Sequence, residues 1–311
     1  MDALARAQGI RIGVDLGGTK IEVAALDARG TTRERRREAT PSGDYAGTVA
    51  AVTRLVAEVE RACGIGAGAA PVGVGAPGSL SRSSGLLRGA NSVCLNGMPL
   101  RRDLEAALGR PIGFANDANC FALSEAIDGA GRGALVVFGV ILGTGVGGGI
   151  VVDGRLVEGA NGITGEWGHN PLPWPDDDER PGAACFCGQR GCIETWLSGP
   201  ALARDAVMRS SEAVVAAALS GDERCRRALD RYENRLARSL AQVINIVDPD
   251  VIVLGGGLSN LARWYDGVPR LLERHVFSDR IATRLVRPVH GDSSGVRGAA
   301  RLACAPDHMP A

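Results

Sequence analysis

Four groups of residues in this 311-residue chain have types and spacings that could do chemistry. In "FANDANC", Asp117 follows a short apolar run and precedes a helix-like stretch. A carboxylate at such a junction can accept a proton from a hydroxyl, or can cap the helix. "GEWGH" offers Glu166 and His169, and Glu194 follows "CFCGQRGC". Carboxylates and imidazoles accept and donate in fixed directions, which suits them to vicinal hydroxyl groups. His169 also precedes Cys185, Cys187 and Cys192. Three thiolates and one imidazole make a closed tetrahedral zinc site, and the two glycines of the Cys-rich turn permit the reversal it needs; unrelated buried thiols are the alternative.

The fourth group is glycine-rich. "DLGGTK" holds Asp15, Gly17, Gly18, Thr19 and Lys20; "ILGTGVGG" holds Gly143, Thr144 and Gly145; "VLGGG" ends in Gly255, Gly256 and Gly257. Turns without Cβ atoms can converge their backbone N–H groups on an anion, and the threonines add hydroxyl donors. Asp15 beside that anion makes sense with Mg²⁺ between them. Any one loop by itself reads as a plain tight turn. Three of them, two in a repeated hairpin, point to nucleotide binding. "GTGVGG" also fits a dinucleotide fingerprint, but that motif must open a helix and here "GIVVDGRL" continues as strand. No phosphate-binding loop ending in Gly-Lys-Ser/Thr occurs. Lys20 is the only lysine among 35 basic residues. A codon bias toward arginine explains this, as does a role that arginine cannot fill.

Around these groups the elements are legible. "RIGVD" and "KIEVAAL" read as strands flanking "LGGT", and the pattern returns in "GVILGTGVGGGIVVDGR". "DYAGTVAAVTRLVAEVERACG" places Val49, Val52, Leu55, Val56 and Val59 at helical spacing. "PVGVGAPG" is a strand entering a turn, and "PLRRDLEAALG" is a short helix ended by Gly109. "PIGFAND" runs as a strand into the helix "ANCFALSEAIDGAG". A long helix, "DERCRRALDRYENRLARSLAQVINIVDP", stops near Pro249. "DVIVLGGG" is a buried strand, and "SGVRGAARLAC" closes the chain as a helix. Alternating strands and helices make the class α/β. The repeated hairpin implies an internal duplication into two lobes: a smaller one over 1–117 plus 294–311, and a larger one over 118–293 bearing the cysteine loop.

Composition excludes several classes. Lys plus Arg and Asp plus Glu both number 35, so there is no electrostatic footprint for nucleic acid or an anionic membrane. The N-terminus lacks a signal-peptide pattern and the apolar runs are too short to span a bilayer, so a cytoplasmic protein is expected. The other cysteines, Cys63, Cys94, Cys120, Cys225 and Cys304, do not cluster and read as core or incidental thiols.

Taken together, "DLGGTKIEVAALD", "GVGAPGSL", "FANDAN", "ILGTGVGGGI", "GEWGH", "CFCGQRGCIE" and "VIVLGGGLSN" resemble the ROK family of bacterial sugar kinases and repressors. The resemblance runs from Ile10 to about Cys304. "ANDANC", "GEWGHNPLPW", "CIETW" and "HGDSSGVRGAA" look most like the fructokinase branch, with N-acetylglucosamine kinases near neighbours. It implies the actin/Hsp70/hexokinase-like (ribonuclease H-like) duplicated two-domain fold, with ATP in a cleft between paired phosphate-binding hairpins. By this resemblance Asp117 is the general base. Asn91, Asn116, Asp117, Glu166, His169 and Glu194 match positions that contact the sugar, and Gly78 lies in the loop lining that pocket. The four metal-binding positions match the family's structural zinc, although the gap between His169 and Cys185 is longer than in many members. One His169 nitrogen on zinc would leave the other facing the sugar.

The implied activity is ATP- and Mg²⁺-dependent phosphorylation of a hexose, D-fructose at its 6-hydroxyl first, in a homodimer. N-acetylglucosamine kinase and glucokinase or mannokinase activity are the alternatives. A sugar-sensing repressor would carry a DNA-binding helix-turn-helix, for which the stretch before the first strand is too short.

Overall fold

The runs of β-branched residues beside glycine turns form the strands expected of them. The structure is a computed structural model and describes residues 9–90 and 92–303; Asn91 and Cys304 lie outside the described residues. Backbone contacts divide the chain into two units. The first takes residues through Asp128, Glu158–Ile163 and those from Asp292 on; the second takes Gly129–Val157 and Thr164–Gly291.

In the first unit, β1 (Arg11–Leu16) and β2 (Lys20–Leu26) make an antiparallel hairpin with Leu16 opposite Ile21. β3 (Thr32–Ala39) pairs with β2 at the sheet edge. Its sequence, "TRERRREA", gives no apolar alternation, so it was not expected as a strand. It holds through charge: Arg33 meets Asp27 at 2.8 Å, and Arg35 and Arg37 both meet the buried Glu22. A charged edge also resists pairing with other chains. α1 (Tyr45–Ala62) buries Val52, Leu55, Val56 and Val59, and its N-cap Asp44 accepts from the Gly47 N–H at 2.8 Å. β4 (Val72–Ala76) follows, then the small hairpin β5 (Ser79–Leu80) and β6 (Leu87–Arg88). α2 (Leu100–Leu108) ends at Gly109, whose φ of 67° is the left-handed cap conformation. β7 (Ile112–Asn116) leads into α3 (Asp117–Asp128), and the sheet order is β3-β2-β1-β4-β7.

The C-terminal helix, Ser294–Leu302, lies on this sheet along a lane of glycines. Gly13, Gly73 and Gly113 are register neighbours on the parallel strands β1, β4 and β7. A Cβ on each would run into the carbonyl of Val296, Ala299 and Leu302 respectively. Three carbonyls spaced one turn apart thus rest directly on strand backbone.

α3 packs beside the same helix, with Arg297 and Arg301 both on Asp128 (2.9 and 2.7 Å) and the Ser294 hydroxyl donating to Glu125 at 2.8 Å. The first unit therefore extends through Asp128, past the boundary expected at residue 117, and it includes 158–163, which sequence placed in the larger lobe.

The second unit repeats the plan. β8 (Val136–Leu142) and β9 (Val146–Val152) form its hairpin, with Leu142 opposite Val146, and β10 (Arg155–Leu156) pairs outside β9. After a loop-rich stretch come α4 (Glu194–Leu197), α5 (Gly199–Asp205), α6 (Ser211–Leu219) and α7 (Glu223–Val247). β11 (Val251–Gly255), α8 (Arg263–Leu272) and β12 (Arg284–Val286) complete it. The order β10-β9-β8-β11-β12 reproduces the first sheet strand for strand, parallel and antiparallel pairs included. This is the duplication that the repeated hairpin announced. Each unit has its own core, one packed around α1 and the other around α7. No helix among the described residues is long and apolar enough to cross a membrane.

Candidate functional site

The expected residues gather in two clusters, one in each unit. In the first unit, Asn116 ends β7 and Asp117 opens α3. The Asn116 side chain accepts from the Ala118 N–H at 2.7 Å, so it takes the capping position that Asp117 was weighed for. Its amide also donates to the Gly78 carbonyl at 3.0 Å, tying the "APGSL" loop to the end of β7. Gly78 has a φ of 81° and its backbone lies against Arg88 and Ala90, where no side chain fits. Asp117 stands in the first turn of α3, with Oδ1 2.8 Å from the Ala118 nitrogen.

Asp15, at the end of β1, is the electrostatic outlier. Its pKa is pushed up to about 6, first by burial and then by the negative charges of Asp117 and Glu22, against the pull of Lys20 and Arg37. Its carboxylate reaches Gly295 in the C-terminal helix; a Cβ there would stand 2.6 Å from Oδ2. A half-buried carboxylate with two further negative charges beside it has the chemistry to hold a cation. The first glycine turn follows Asp15: Gly17 N–H bonds the Lys20 carbonyl at 2.9 Å, and the Thr40 hydroxyl donates to the Gly17 carbonyl at 2.7 Å.

In the second unit, Glu166, His169 and Glu194 surround the start of β9. Trp167 is buried, stacks edge-on against Phe138 and donates to the Gly147 carbonyl at 3.0 Å. That anchors the turn carrying Glu166 and His169. Gly165 and Gly168 let the turn approach the β9 backbone at Gly148 and Val146. Glu194, first in α4, accepts from the Val146 N–H at 2.9 Å through Oε2, and the same oxygen crowds Gly145. Glu194 therefore braces the second glycine turn, a role sequence reasoning did not foresee.

The four metal-site residues converge. Their ligand atoms all lie within 4.8 Å of one another; the His169 Nδ1–Cys185 Sγ distance is 3.5 Å and the Cys187–Cys192 Sγ–Sγ distance 3.6 Å. Tetrahedral zinc with bonds of about 2.0–2.3 Å spaces such ligands about 3.5–3.8 Å apart, so the residues fit that ion. The long gap after His169 does not displace it.

Gly143 and Thr144 line a pocket of about 770 Å³ with Gly257 and Asn260 of the third glycine turn. Gly256, at φ 80°, lies against the Leu142 carbonyl and holds the two turns side by side, while Gly255 stays inside β11. Ala203, Val215, Ala216 and Leu219, from α5 and α6, form an apolar wall. Glycine backbone and apolar side chains in one lining, with Arg209 and Glu212 beside them, suit a nucleotide. The wall was not read from sequence because its small apolar residues carry no motif.

A profile of the ROK family matches residues 11–305. The chain belongs to the ROK family. The N-acetyl-D-glucosamine kinase of Salmonella paratyphi B is 41% identical over 300 residues, covering 93% of this chain and 98% of that protein. Among solved structures, the ROK hexokinase of Thermus thermophilus aligns with a TM-score of 0.83 at 31% identity, covering 94% of this chain and 97% of that one. A ROK family glucokinase from Streptomyces griseus, in complex with glucose and AMPPNP, aligns at 0.77 and 28% identity over 94% of this chain and 99% of that one. The fold is therefore the actin/hexokinase-like duplicated α/β fold, and these relatives are sugar kinases. The fructokinase branch has no specific counterpart among these findings.

Proposed function

We propose that this ROK chain transfers the γ-phosphoryl group of ATP to a hydroxyl of a hexose. The observation that carries the reading is the pocket in the second unit, bounded by two glycine turns and an apolar wall. Gly143, Thr144 and Gly145 would donate to the phosphates; for Gly17, Gly18 and Thr19 of the first unit the family resemblance implies the same role. Lys20 would offset their charge. Gly257 would border the nucleotide, with Gly255 and Gly256 shaping the turn. Asp15 would hold Mg²⁺, which supplies charge neutralisation on the transferring phosphoryl group.

Asp117 would accept the proton of the attacking hydroxyl while Asn116, Glu166, His169 and Glu194 orient the sugar, together with Asn91 and the Gly78 loop. His169 offers Nδ1 to the thiols, leaving Nε2 for a sugar hydroxyl. Phosphoryl transfer needs positioning and charge stabilisation more than covalent chemistry, and these residue types supply both. Zinc held by His169, Cys185, Cys187 and Cys192 would be structural, with no ligand position left open.

Two acceptors have specific support. Relatives matched over nearly their whole length favour N-acetyl-D-glucosamine, and the segments around Asp117 and His169 resemble fructokinases. ADP release measured over N-acetylglucosamine, fructose, glucose and mannose separates them. One acceptor should exceed the others in kcat/KM, and turnover on none of them refutes the kinase reading. A homodimer remains part of the proposal, checked by sedimentation.

A further inference from the structure

The segment 170–184, between His169 and the first cysteine, has a single 3₁₀ turn, Asp177–Glu179, as its only regular element. Its ends are pinned to the cysteine loop: Pro171 bridges Cys192, and Ala184 bridges Arg190. Its middle is pinned elsewhere. Glu179 is buried and meets Arg235 and Arg238 of α7, both themselves buried. Oε1 accepts from Arg235 Nε at 2.7 Å and from Arg238 Nη2 at 2.8 Å. Oε2 accepts from Arg238 Nη2 and from the Asp176 N–H, each at 2.9 Å.

The two arginines reach further. Arg238 Nη1 donates to the carbonyls of Pro173 and Trp174, gripping the early part of the segment. Arg235 donates to Asp205 of α5 at 3.0 Å and lies 4.5 Å from the centre of the Trp196 ring, on the short helix that begins with Glu194. Trp196 in turn packs against Gly182 near the segment's far end. One carboxylate and two guanidiniums therefore join the segment to both α4, which carries Glu194, and α7.

We propose that Glu179 is a positioning residue for the acceptor and metal cluster. Through Arg235 and Arg238 it fixes the segment that sets His169 against the cysteines and seats Glu194 at the second glycine turn. Between its pinned ends the segment has only the turn at Asp177–Glu179 to satisfy its backbone. Charge-assisted hydrogen bonds to buried arginines supply the missing constraint. The proposal rests on the sugar-kinase reading for its kinetic effect and on the cysteine site alone for its effect on metal.

The test uses Glu179→Gln in the zinc-loaded full chain, with zinc transfer to a chromophoric chelator and steady-state kinetics as readouts. Zinc release is expected to quicken by about tenfold or more, the loss typical of disturbed outer-shell partners. Hexose KM should rise while kcat stays within about threefold of the parent, and nucleotide KM should rise with it, because Glu194 braces the glycine turn that lines the proposed nucleotide pocket. If Glu179→Gln fails to fold, Arg238→Lys carries the test. It keeps the charge but loses the fork that holds Glu179 and the two carbonyls together. A folded variant with parental zinc release and parental hexose KM overturns the proposal. Faster zinc release in a chain whose parent phosphorylates no hexose upholds the anchor and sinks the kinase reading instead.

Discussion

Asp117 and Asp15 illustrate how neighbouring carboxylates are given different work. Asn116 caps α3, and Asp117 in its first turn is the proposed base. Asp117→Asn keeps the shape and removes the proton acceptor. Turnover should fall by about 10²–10⁴-fold, with hexose binding by calorimetry nearly unchanged; near-parental kcat would refute the assignment. Asp15 is ionised at a cost. Because its folded pKa is about 6 against an ordinary 3.8, the folded state holds the proton more tightly. Its favourable contribution is full below pH 3.8 and is lost as pH rises through about 6. The shift corresponds to up to ~3 kcal/mol of destabilisation at neutral pH. In magnesium-free buffer Asp15→Asn should therefore melt higher than the parent at pH 7.5, and the gap should close near pH 4. A gap independent of pH would contradict the burial argument. The same variant should lose most activity.

Among the elements, the glycine lane under the C-terminal helix tolerates little. Gly73 faces the Ala299 carbonyl, which is backbone and cannot swing aside. Gly73→Ala should lower stability by about 3 kcal/mol or more, at or beyond the upper end for overpacking, read as the urea midpoint. An unchanged midpoint would mean that the helix is not seated on the lane. The edge strand β3 shows the opposite logic. It is held by arginine–carboxylate pairs along one face rather than by apolar burial, and for that reason its sequence reads as loop.

For the molecule as a whole, duplication gives two units with separate sheets and separate cores. The residues lining the proposed nucleotide pocket all belong to the second. MgAMPPNP at about 100 times its Kd should raise stability by about 2.7 kcal/mol. Slowed amide exchange is expected at the β8–β9 turn and along α5 and α6. Protection confined to the first unit would show that the pocket is not where the nucleotide binds.

The sequence by itself determined the hairpins, the α/β class and the duplication, and it marked Asp15, Asp117, Glu166, His169 and the three cysteines as candidates. Each of these is a local pattern: a period, a turn residue or a ligand spacing. Tertiary structure decided that α3 belongs to the first unit and that Glu194 braces a glycine turn. It also decided that Glu179 is buried between arginines more than fifty positions away. Such facts depend on which surfaces meet across long stretches of chain, and an exposed-looking "PDDDER" carries no mark of the helix that will cover it.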